Sequence, residues 1–186
     1  MKVSYIYIGN MRSDYYLKLI LLGDAQVGKS SLADALAGKD PEVSYIPTIG
    51  IDFRSIRQRA DNGDVVKLHV WDAAGADGFR SIVETYCACV GGAVIVYDVT
   101  RRDTFRAIEG WITLAKESRS AEKNTFFPVV VVGNKMDLST RRVVTFKEGM
   151  ELAESLGAKY METSARGGIN VAGLKDGMID MMLNVV

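Results

Sequence analysis

The sequence of 186 residues is poor in cysteine, histidine and proline, and neither sign of charge is in excess. Its two cysteines, Cys87 and Cys89, are too close for an unstrained disulfide bond, so we expect reduced thiols and a cytoplasmic protein. A single histidine, His69, leaves too few ligands for a zinc site. Lys+Arg and Asp+Glu both number 23, so the composition gives no reason to expect a nucleic-acid partner. Apolar runs are all shorter than a membrane span.

Strand-like apolar runs alternate with helix-like segments, a pattern typical of an α/β fold with a mostly parallel sheet. The pattern predicts strands near residues 15–22, 53–59, 65–71, 93–97, 129–132 and 159–162, and later helices near 104–119, 146–156 and 170–185. Asn62-Gly63 indicates a tight turn, so the second and third strands should be antiparallel. We expect one domain over 13–186 after a short extension over 1–12, with Met11 as an alternative start.

Residues 23–30 read Gly-Asp-Ala-Gln-Val-Gly-Lys-Ser, a complete G-x-x-x-x-G-K-S motif. The motif lies between an apolar strand and a helix-forming segment, which is the context of a phosphate-binding loop, or P-loop. Glycines let backbone N–H groups approach phosphate oxygens, and the following helix adds a favourable dipole. We expect Lys29 to reach the β- and γ-phosphates of a nucleotide and the Ser30 hydroxyl to bind Mg²⁺.

A second motif, Asn-Lys-Met-Asp at 134–137, follows another apolar strand and indicates the base. The Asp137 carboxylate can accept hydrogen bonds from N1–H and the exocyclic amine of guanine, a pair of donors that adenine lacks. Asn134 can contact the other edge of the base, and the Lys135 stem can lie along its plane. After the last strand, the Ala165 N–H can donate to guanine O6.

Two further segments carry candidate groups for the γ-phosphate. Thr48, in the loop before the hairpin, can bind Mg²⁺ through its hydroxyl and the γ-phosphate through its backbone N–H. After the hairpin, Asp72 can orient a Mg²⁺-bound water and the Gly75 N–H can contact the γ-phosphate. Hydrolysis removes both γ-phosphate contacts, which is how such loops become order–disorder switches.

With these motifs the sequence resembles the Ras-like small GTPases, most closely the Rab branch, over about residues 13–183. Residues 49–53 (Ile-Gly-Ile-Asp-Phe), 67–71 (Lys-Leu-His-Val-Trp) and 97–100 (Tyr-Asp-Val-Thr) look like Rab signatures. The resemblance implies a three-layer α/β P-loop G domain. Its six-stranded sheet would be mostly parallel, with one antiparallel strand and helices on both faces. The resemblance also implies a GTPase switch that binds GTP and GDP with Mg²⁺ and serves vesicle trafficking at endomembranes.

The resemblance also assigns roles to individual residues. Lys29, Thr48 and Gly75 would be catalytic, and Ser30, Thr48 and Asp72 would hold the metal. The nucleotide would bind Asp24, Ala25, Gln26, Val27, Gly28, Lys29, Ser30, Ser31, Pro47, Thr48, Gly75, Asn134, Lys135, Asp137, Ser164, Ala165 and Arg166.

Partner proteins are expected on the two switch regions. Effectors, exchange factors and GTPase-activating proteins would contact residues 45–54 and 71–86. Phe53, Trp71 and Tyr86 match the aromatic triad that Rabs present to effectors, and packing between hairpin and helix is compatible with that role.

Four departures from the family pattern qualify this interpretation. Ala76 stands where a glutamine usually orients water, so we expect weak hydrolysis and keep a nearly inactive scaffold as the alternative. Pro41 replaces an aromatic that packs on guanine. Gln26 replaces a P-loop glycine, so its side chain must point away from the phosphates or crowd them. The sequence ends at Val186 without prenylated cysteines, which leaves open a longer chain or membrane attachment through a partner.

Overall fold

A computed structural model describes residues 14–40, 48–59, 64–75, 80–119 and 126–184. Its six-stranded sheet has the order β2-β3-β1-β4-β5-β6. The strands are β1 (Asp14–Leu22), β2 (Ile51–Arg59), β3 (Val65–Ala73), β4 (Gly92–Asp98), β5 (Val129–Asn134) and β6 (Lys159–Glu162). Every neighbouring pair is parallel except β2 and β3, which are antiparallel, so the predicted fold class is confirmed.

Six α-helices accompany the sheet within the described ranges. They are α1 (Lys29–Leu36), α2 (Arg80–Cys87), α3 (Arg102–Arg106), α4 (Ile108–Glu117), α5 (Phe146–Ser155) and α6 (Val171–Leu183). The single helix predicted over 104–119 is divided into α3 and α4 at Ala107. Hydrogen bonds from Ala107 N–H to Asp103 O and from Trp111 N–H to Ala107 O continue across the division, which is therefore a local irregularity.

Helix α2 was not predicted from the sequence. Its β-branched residues Ile82, Val83 and Thr85 have low intrinsic helix propensity. The helix buries Val83 and Cys87 in the core cluster on one face of the sheet. Tertiary packing therefore overrides the local preference of this segment.

The core lies on both faces of the sheet because the side chains of its central strand alternate. Leu17, Leu19 and Leu21 of β1 join a cluster with residues of α1 and α6. Ile20 and Leu22 join a second cluster with residues of α2, α4 and α5. All residues of β4 and β5 are buried, as expected for parallel strands covered on both sides.

Residues of the site lie at the carboxyl ends of three parallel strands, β1, β5 and β6. The P-loop follows β1, Asn134 ends β5, and Thr163 follows β6. Because β3 pairs with β1 in parallel, Asp72 lies opposite Leu21, next to the P-loop. Ligands of open α/β sheets bind at the carboxyl ends of the strands, where these residues lie. Among the described helices, none is long and apolar enough to cross a membrane.

Candidate nucleotide-binding site

The turn from β1 into α1 requires glycine at two positions. Gly23 has φ +139° and Gly28 has φ +95°, conformations that side chains disfavour. A Cβ on Gly23 would collide with the Val96 carbonyl oxygen, and one on Gly28 would collide with Nδ2 of Asn134. The backbone of the loop can therefore approach its neighbours only without side chains at these positions.

The carbonyl oxygens of the P-loop are held by side chains of the protein. Five consecutive carbonyls accept such hydrogen bonds: Gly23 and Asp24 from Lys29 Nζ, both at 2.8 Å, Ala25 from Arg101 Nη1 at 3.3 Å, Gln26 from Lys135 Nζ at 2.7 Å, and Val27 from Asn134 Nδ2 at 2.9 Å. In a trans peptide the N–H points opposite to the C=O. With its carbonyls bonded to the protein's own side chains, the loop can offer its N–H groups to an anion.

Lys29 is buried although it carries a charge, with 6% of its surface exposed. Burial lowers its pKa from 10.5 to about 8, and the negative charges of Asp72 and Asp24 oppose that shift. A phosphate bound beside the ammonium would favour its charged form. Lys29 is thus the cation that the loop offers to a polyphosphate.

Ser30, Thr48 and Asp72 converge beside the P-loop. The hydroxyl oxygens of Ser30 and Thr48 lie 3.0 Å apart, and Thr48 Oγ1 lies 3.5 Å from Asp72 Oδ2. Asp72 is fully buried, and its Oδ1 has no hydrogen-bond partner in the part of the chain that is described. Burial raises the pKa of Asp72, while the Ser30 hydroxyl and Lys29 oppose the shift.

These three oxygen donors fit a hard divalent cation. Mg²⁺ prefers a few protein oxygens and keeps the remaining positions for water and phosphate. The unpaired carboxylate oxygen of Asp72 is a buried acceptor that such an ion, or its bound water, would satisfy. Within the described ranges there is no group of three or more His, Cys, Asp or Glu residues that could hold a metal, and two of the three donors here are hydroxyls.

Gly75 packs directly against the P-loop. A Cβ at this position would overlap the backbone atoms of Asp24 and Ala25. The neighbouring Ala74 N–H donates to Gly50 O at 2.8 Å, which ties this segment to the residue before β2. The two segments that bear Thr48 and Gly75 are therefore in contact with each other and with the loop.

Gln26 lies at an exposed position of the P-loop. Its side chain is exposed, and its backbone adopts the left-handed conformation with φ +66°. A side chain at such a φ costs about 1 kcal/mol relative to an ordinary backbone region.

The side-chain amide of Asn134 joins three segments of the protein. In addition to its bond to Val27, Oδ1 accepts from Thr163 Oγ1 and from the Ala165 N–H, both at 3.2 Å. Asn134 is 1% exposed. In this structure its amide and the Ala165 N–H are bonded to each other, and direct contact of either with a base stays a prediction.

The other base-binding candidates border this network. Lys135 adopts φ +65° and pairs with Asp98 Oδ2 at 2.7 Å. Burial opposes the shift, but hydrogen bonds from Lys135 and Thr100 hold the pKa of Asp98 below its usual value. The Asp137 side chain is exposed, as its predicted contact with a ligand requires.

The segment after β6 supplies the remaining predicted base contacts. Ser164 is fully buried, and its Oγ accepts from the Gly167 N–H at 2.9 Å. Arg166 is exposed at the rim of the site. Ser31, on the first turn of α1, is half-buried.

Two residues of the site region were missed by sequence analysis. Trp111 of α4 donates from Nε1 to Asp24 Oδ1 at 2.8 Å, across 87 residues of sequence. Arg101 holds the Ala25 carbonyl and pairs with Asp103 at 2.5 Å. Trp111 reads as an ordinary core-facing position in an amphipathic helix, and Arg101 as a solvated loop residue, so neither carried a signal.

Several predicted positions lie outside the described residues. These are the extension over 1–12, Pro41, Pro47, Ala76 and the turn Asn62-Gly63.

The aromatic residues predicted to meet partners form one cluster. The ring centroids of Phe53 and Trp71 are 5.3 Å apart, and those of Trp71 and Tyr86 are 4.6 Å apart. Phe53 is 43% exposed. The cluster joins β2, β3 and α2, so its shape depends on how these elements pack.

Comparison with known proteins agrees with this site. The sequence model described as the Ras family matches residues 18–184. The chain is also 40% identical over 162 residues to the Ras-related protein RIC1 of Oryza sativa subsp. japonica, an alignment that covers 87% of this chain and 78% of that protein. The residues matched by the family model span the P-loop, Thr48, Asp72 and the Asn-Lys-Met-Asp motif, and this chain belongs to the Ras family of small GTPases.

Proposed function

We propose that the protein is a Rab-type guanine-nucleotide switch that binds GTP and GDP with Mg²⁺ and hydrolyses GTP slowly. The observation that carries the proposal is the convergence of Ser30, Thr48 and Asp72 beside the buried Lys29. Membership of the Ras family supports a GTP-binding switch with GTPase activity.

Different residues of the site would bind the phosphates, the Mg²⁺ ion and the base of a nucleoside triphosphate. The P-loop N–H groups and Lys29 would hold the β- and γ-phosphates, which carry most of the negative charge. Ser30, Thr48 and Asp72 would hold Mg²⁺. The ion they hold would supply positive charge that offsets the negative charge of the phosphates. Asp137 would select guanine, and Asn134 would fix the loops around the base.

Thr48 and Gly75 make the site sensitive to the γ-phosphate. Both belong to segments that meet the P-loop, Thr48 through Ser30 and Gly75 through the backbone of Asp24 and Ala25. Contacts of these residues with the γ-phosphate would hold the two segments in one arrangement. Their loss after hydrolysis would release the segments and alter the surface near the aromatic cluster.

The Rab assignment rests on the sequence segments 49–53 and 67–71 and on the cluster of Phe53, Trp71 and Tyr86. We therefore place the protein in vesicle trafficking, in the cytoplasm and peripherally on endomembranes. Effectors, exchange factors and GTPase-activating proteins would meet residues 45–54 and 71–86.

Ala76 favours a second candidate function, a nucleotide-holding scaffold that hydrolyses GTP hardly at all. A methyl group cannot orient water for attack on the γ-phosphate. On this alternative the protein binds its partners in one nucleotide state and does not cycle by itself.

Single-turnover kinetics separate the two functions. The protein is loaded with [γ-³²P]GTP, and phosphate release is compared with the rate at which a fluorescent GDP analogue dissociates, with Mg²⁺ and with EDTA. A switch releases Mg²⁺-dependent phosphate faster than it loses nucleotide. Nucleotide loss without phosphate release identifies the scaffold, and equal affinity for GTP and ATP contradicts both.

A further inference from the structure

A side-chain hydrogen bond ties helix α4 to the P-loop. The indole Nε1–H of Trp111 donates to Asp24 Oδ1 at 2.8 Å, between segments 87 residues apart in sequence. Because the acceptor is a carboxylate, the bond is charge-assisted and about twice as strong as one between neutral groups. The Trp111 ring is half-buried and packs against the core cluster on that face of the sheet, which fixes the direction of its N–H.

Asp24 is held through both its backbone and its side chain. Lys29 Nζ donates to the Asp24 carbonyl at 2.8 Å, while Trp111 donates to the carboxylate. A carboxylate in a phosphate-binding loop would repel the phosphates if it faced them, because like charges at short range raise the energy. The bond to Trp111 keeps this carboxylate directed at α4 and restrains the backbone that carries it.

Gly75 packs on the peptide group that joins Asp24 to Ala25. A Cβ on Gly75 would lie 2.4 Å from Asp24 C, 2.5 Å from Ala25 N and 2.6 Å from Asp24 O, which all belong to that peptide group. Rotation of the peptide would therefore displace Gly75. Helix α4 also packs beside α2, the helix that follows Gly75 in sequence, since Ile112 and Val83 share one core cluster.

We propose that Trp111 is a positioning residue for recognition of the γ-phosphate. Its bond to Asp24 sets the orientation of the peptide on which Gly75 packs, and Gly75 is the residue expected to meet the γ-phosphate. Loss of the bond should weaken binding of a nucleoside triphosphate more than binding of the diphosphate. The inference rests on the proposed function, because it assigns a further residue to the same phosphate site.

A bond that only fastened α4 to the rest of the protein would affect both nucleotides equally. The position of Asp24 favours the selective role, because its peptide touches Gly75 and its carbonyl is held by Lys29. The segments that carry the candidate base contacts are joined by a different side chain, Asn134, which bonds to Val27 and Ala165. We therefore expect the effect of Trp111 at the phosphates and not at the base.

Nucleotide affinities of matched variants test the proposal. The full chain is titrated with GDP and with a non-hydrolysable GTP analogue, each in competition with a fluorescent GDP analogue. The variants are Trp111→Phe, which removes the N–H and keeps an aromatic ring, Asp24→Ala, and the two changes combined. Lys116→Met is the control, since it removes another hydrogen bond of α4, from Nζ to Leu156 O at 3.0 Å. Circular dichroism checks that each variant folds.

An NMR measurement tests the contact independently of Trp111→Phe. The chain has two tryptophans, Trp71 and Trp111, and so gives two indole N–H signals. The variant Trp71→Phe identifies the signal of Trp111 as the one that remains. Asp24→Ala should shift this signal, because it removes the carboxylate that accepts the indole hydrogen bond. Lys116→Met should leave the signal in place.

The proposal expects Trp111→Phe to raise the Kd of the GTP analogue by about fivefold more than that of GDP, as for the loss of one hydrogen bond. Asp24→Ala should act in the same direction, and the combined variant should be no weaker than the weaker single variant, because both changes break one bond. Lys116→Met should keep the ratio of the two affinities at its wild-type value.

Three results would overturn the positioning role of Trp111: equal losses for both nucleotides, additive effects of Trp111→Phe and Asp24→Ala, or an indole signal that Asp24→Ala does not move. A wild type that binds neither guanine nucleotide would refute the proposed function and this inference together. A wild type that binds both, with equal losses in the variants, would refute the inference alone.

Discussion

Asn134 and Val27 are 107 residues apart in sequence, yet the Asn134 Nδ2 donates a hydrogen bond to the Val27 carbonyl at 2.9 Å. The same amide accepts hydrogen bonds from Thr163 and Ala165. One buried side chain therefore links the P-loop, the end of β5 and the segment after β6.

Asn134→Ala should loosen all three segments at once. It leaves the Val27 carbonyl without its side-chain donor, and such a loss costs about 1–3 kcal/mol. We expect lower thermal stability and faster release of a fluorescent GDP analogue. Thr163→Val removes only one of the three bonds and serves as the graded control, with a smaller effect on both measurements. Equal effects of the two variants would contradict the linking role of Asn134.

Gln26→Gly should be more stable than Gln26→Ala. At an ordinary backbone position the order is the reverse, because glycine loses more conformational entropy on folding. Because φ is +66°, glycine fits the position and alanine keeps the strain, so the glycine variant should be more stable by about 1 kcal/mol. Denaturant unfolding measures the difference. Ala25→Gly, at the exposed neighbour without a positive φ, should destabilise the protein. An alanine variant as stable as the glycine variant would show that the backbone is not strained.

Binding of GDP should take up a proton above pH 8. The pKa of Lys29 is lowered to about 8, so the free protein is about three-quarters deprotonated at this lysine at pH 8.5 and about one-quarter at pH 7.5. A bound polyphosphate restores the charge. Titration calorimetry in two buffers of different ionisation enthalpy should therefore report more proton uptake at pH 8.5, and equal uptake at both pH values would contradict the shift.

The lowered pKa of Lys29 also affects the stability of the nucleotide-free protein. Between about pH 8 and the unfolded value near 10.5, the unfolded chain binds more protons at Lys29 than the folded one. The contribution of this lysine to the free energy of unfolding should accordingly rise with pH across that window and be constant below it. Chemical denaturation of the nucleotide-free protein at pH 7, 8 and 9 measures the slope.

Asp137→Ala should weaken GDP binding sharply and leave ADP binding as weak as before. Two hydrogen bonds to guanine are lost, each worth about 1–3 kcal/mol in a partly buried site. Competition titration with both nucleotides measures the change, and Asp180→Ala, an exposed carboxylate on α6, is the control. Unchanged GDP affinity would remove Asp137 from the site.

Ala76→Gln should raise single-turnover GTP hydrolysis if the rest of the site is competent. Intrinsic Ras turnover with its glutamine is only about 3–5 × 10⁻⁴ s⁻¹, so the wild type should lie at or below that level. A flat rate with intact binding points to another defect, and Gln26→Gly in the same background is the next variant. A wild type as fast as a glutamine-bearing relative would contradict the prediction.

Most of the fold could be predicted from the sequence because the strands are apolar runs that can be recognised without knowledge of the tertiary structure. The apolar runs at 15–22 and 129–132 lie within the observed β1 and β5, and the separate sequence segments at 53–59 and 65–71 are paired antiparallel in β2 and β3. Helix α2 was missed because its β-branched residues favour other structures until Val83 packs on the sheet.

Site residues could be predicted where they belong to short motifs with characteristic residue types at a fixed spacing. Ser30, Thr48 and Asp72 were identified separately, and the structure brings them together. The hydrogen bond from Trp111 to Asp24 was out of reach because it depends on how α4 docks, which no local pattern encodes. The same holds for Arg101 beside Ala25.

Side chains donate hydrogen bonds to five carbonyls of the P-loop, so the loop loses its conformational freedom when the protein folds and not when a ligand binds. Since Lys29, Lys135, Asn134 and Arg101 are anchored in the folded protein, the peptide units are ordered before any ligand arrives. The entropy of ordering is then a cost of folding, and little of it remains to oppose association. Affinity at this loop is consequently coupled to the integrity of α1, β5 and the start of α3, so that a distant packing defect in any of them would be felt as faster nucleotide loss.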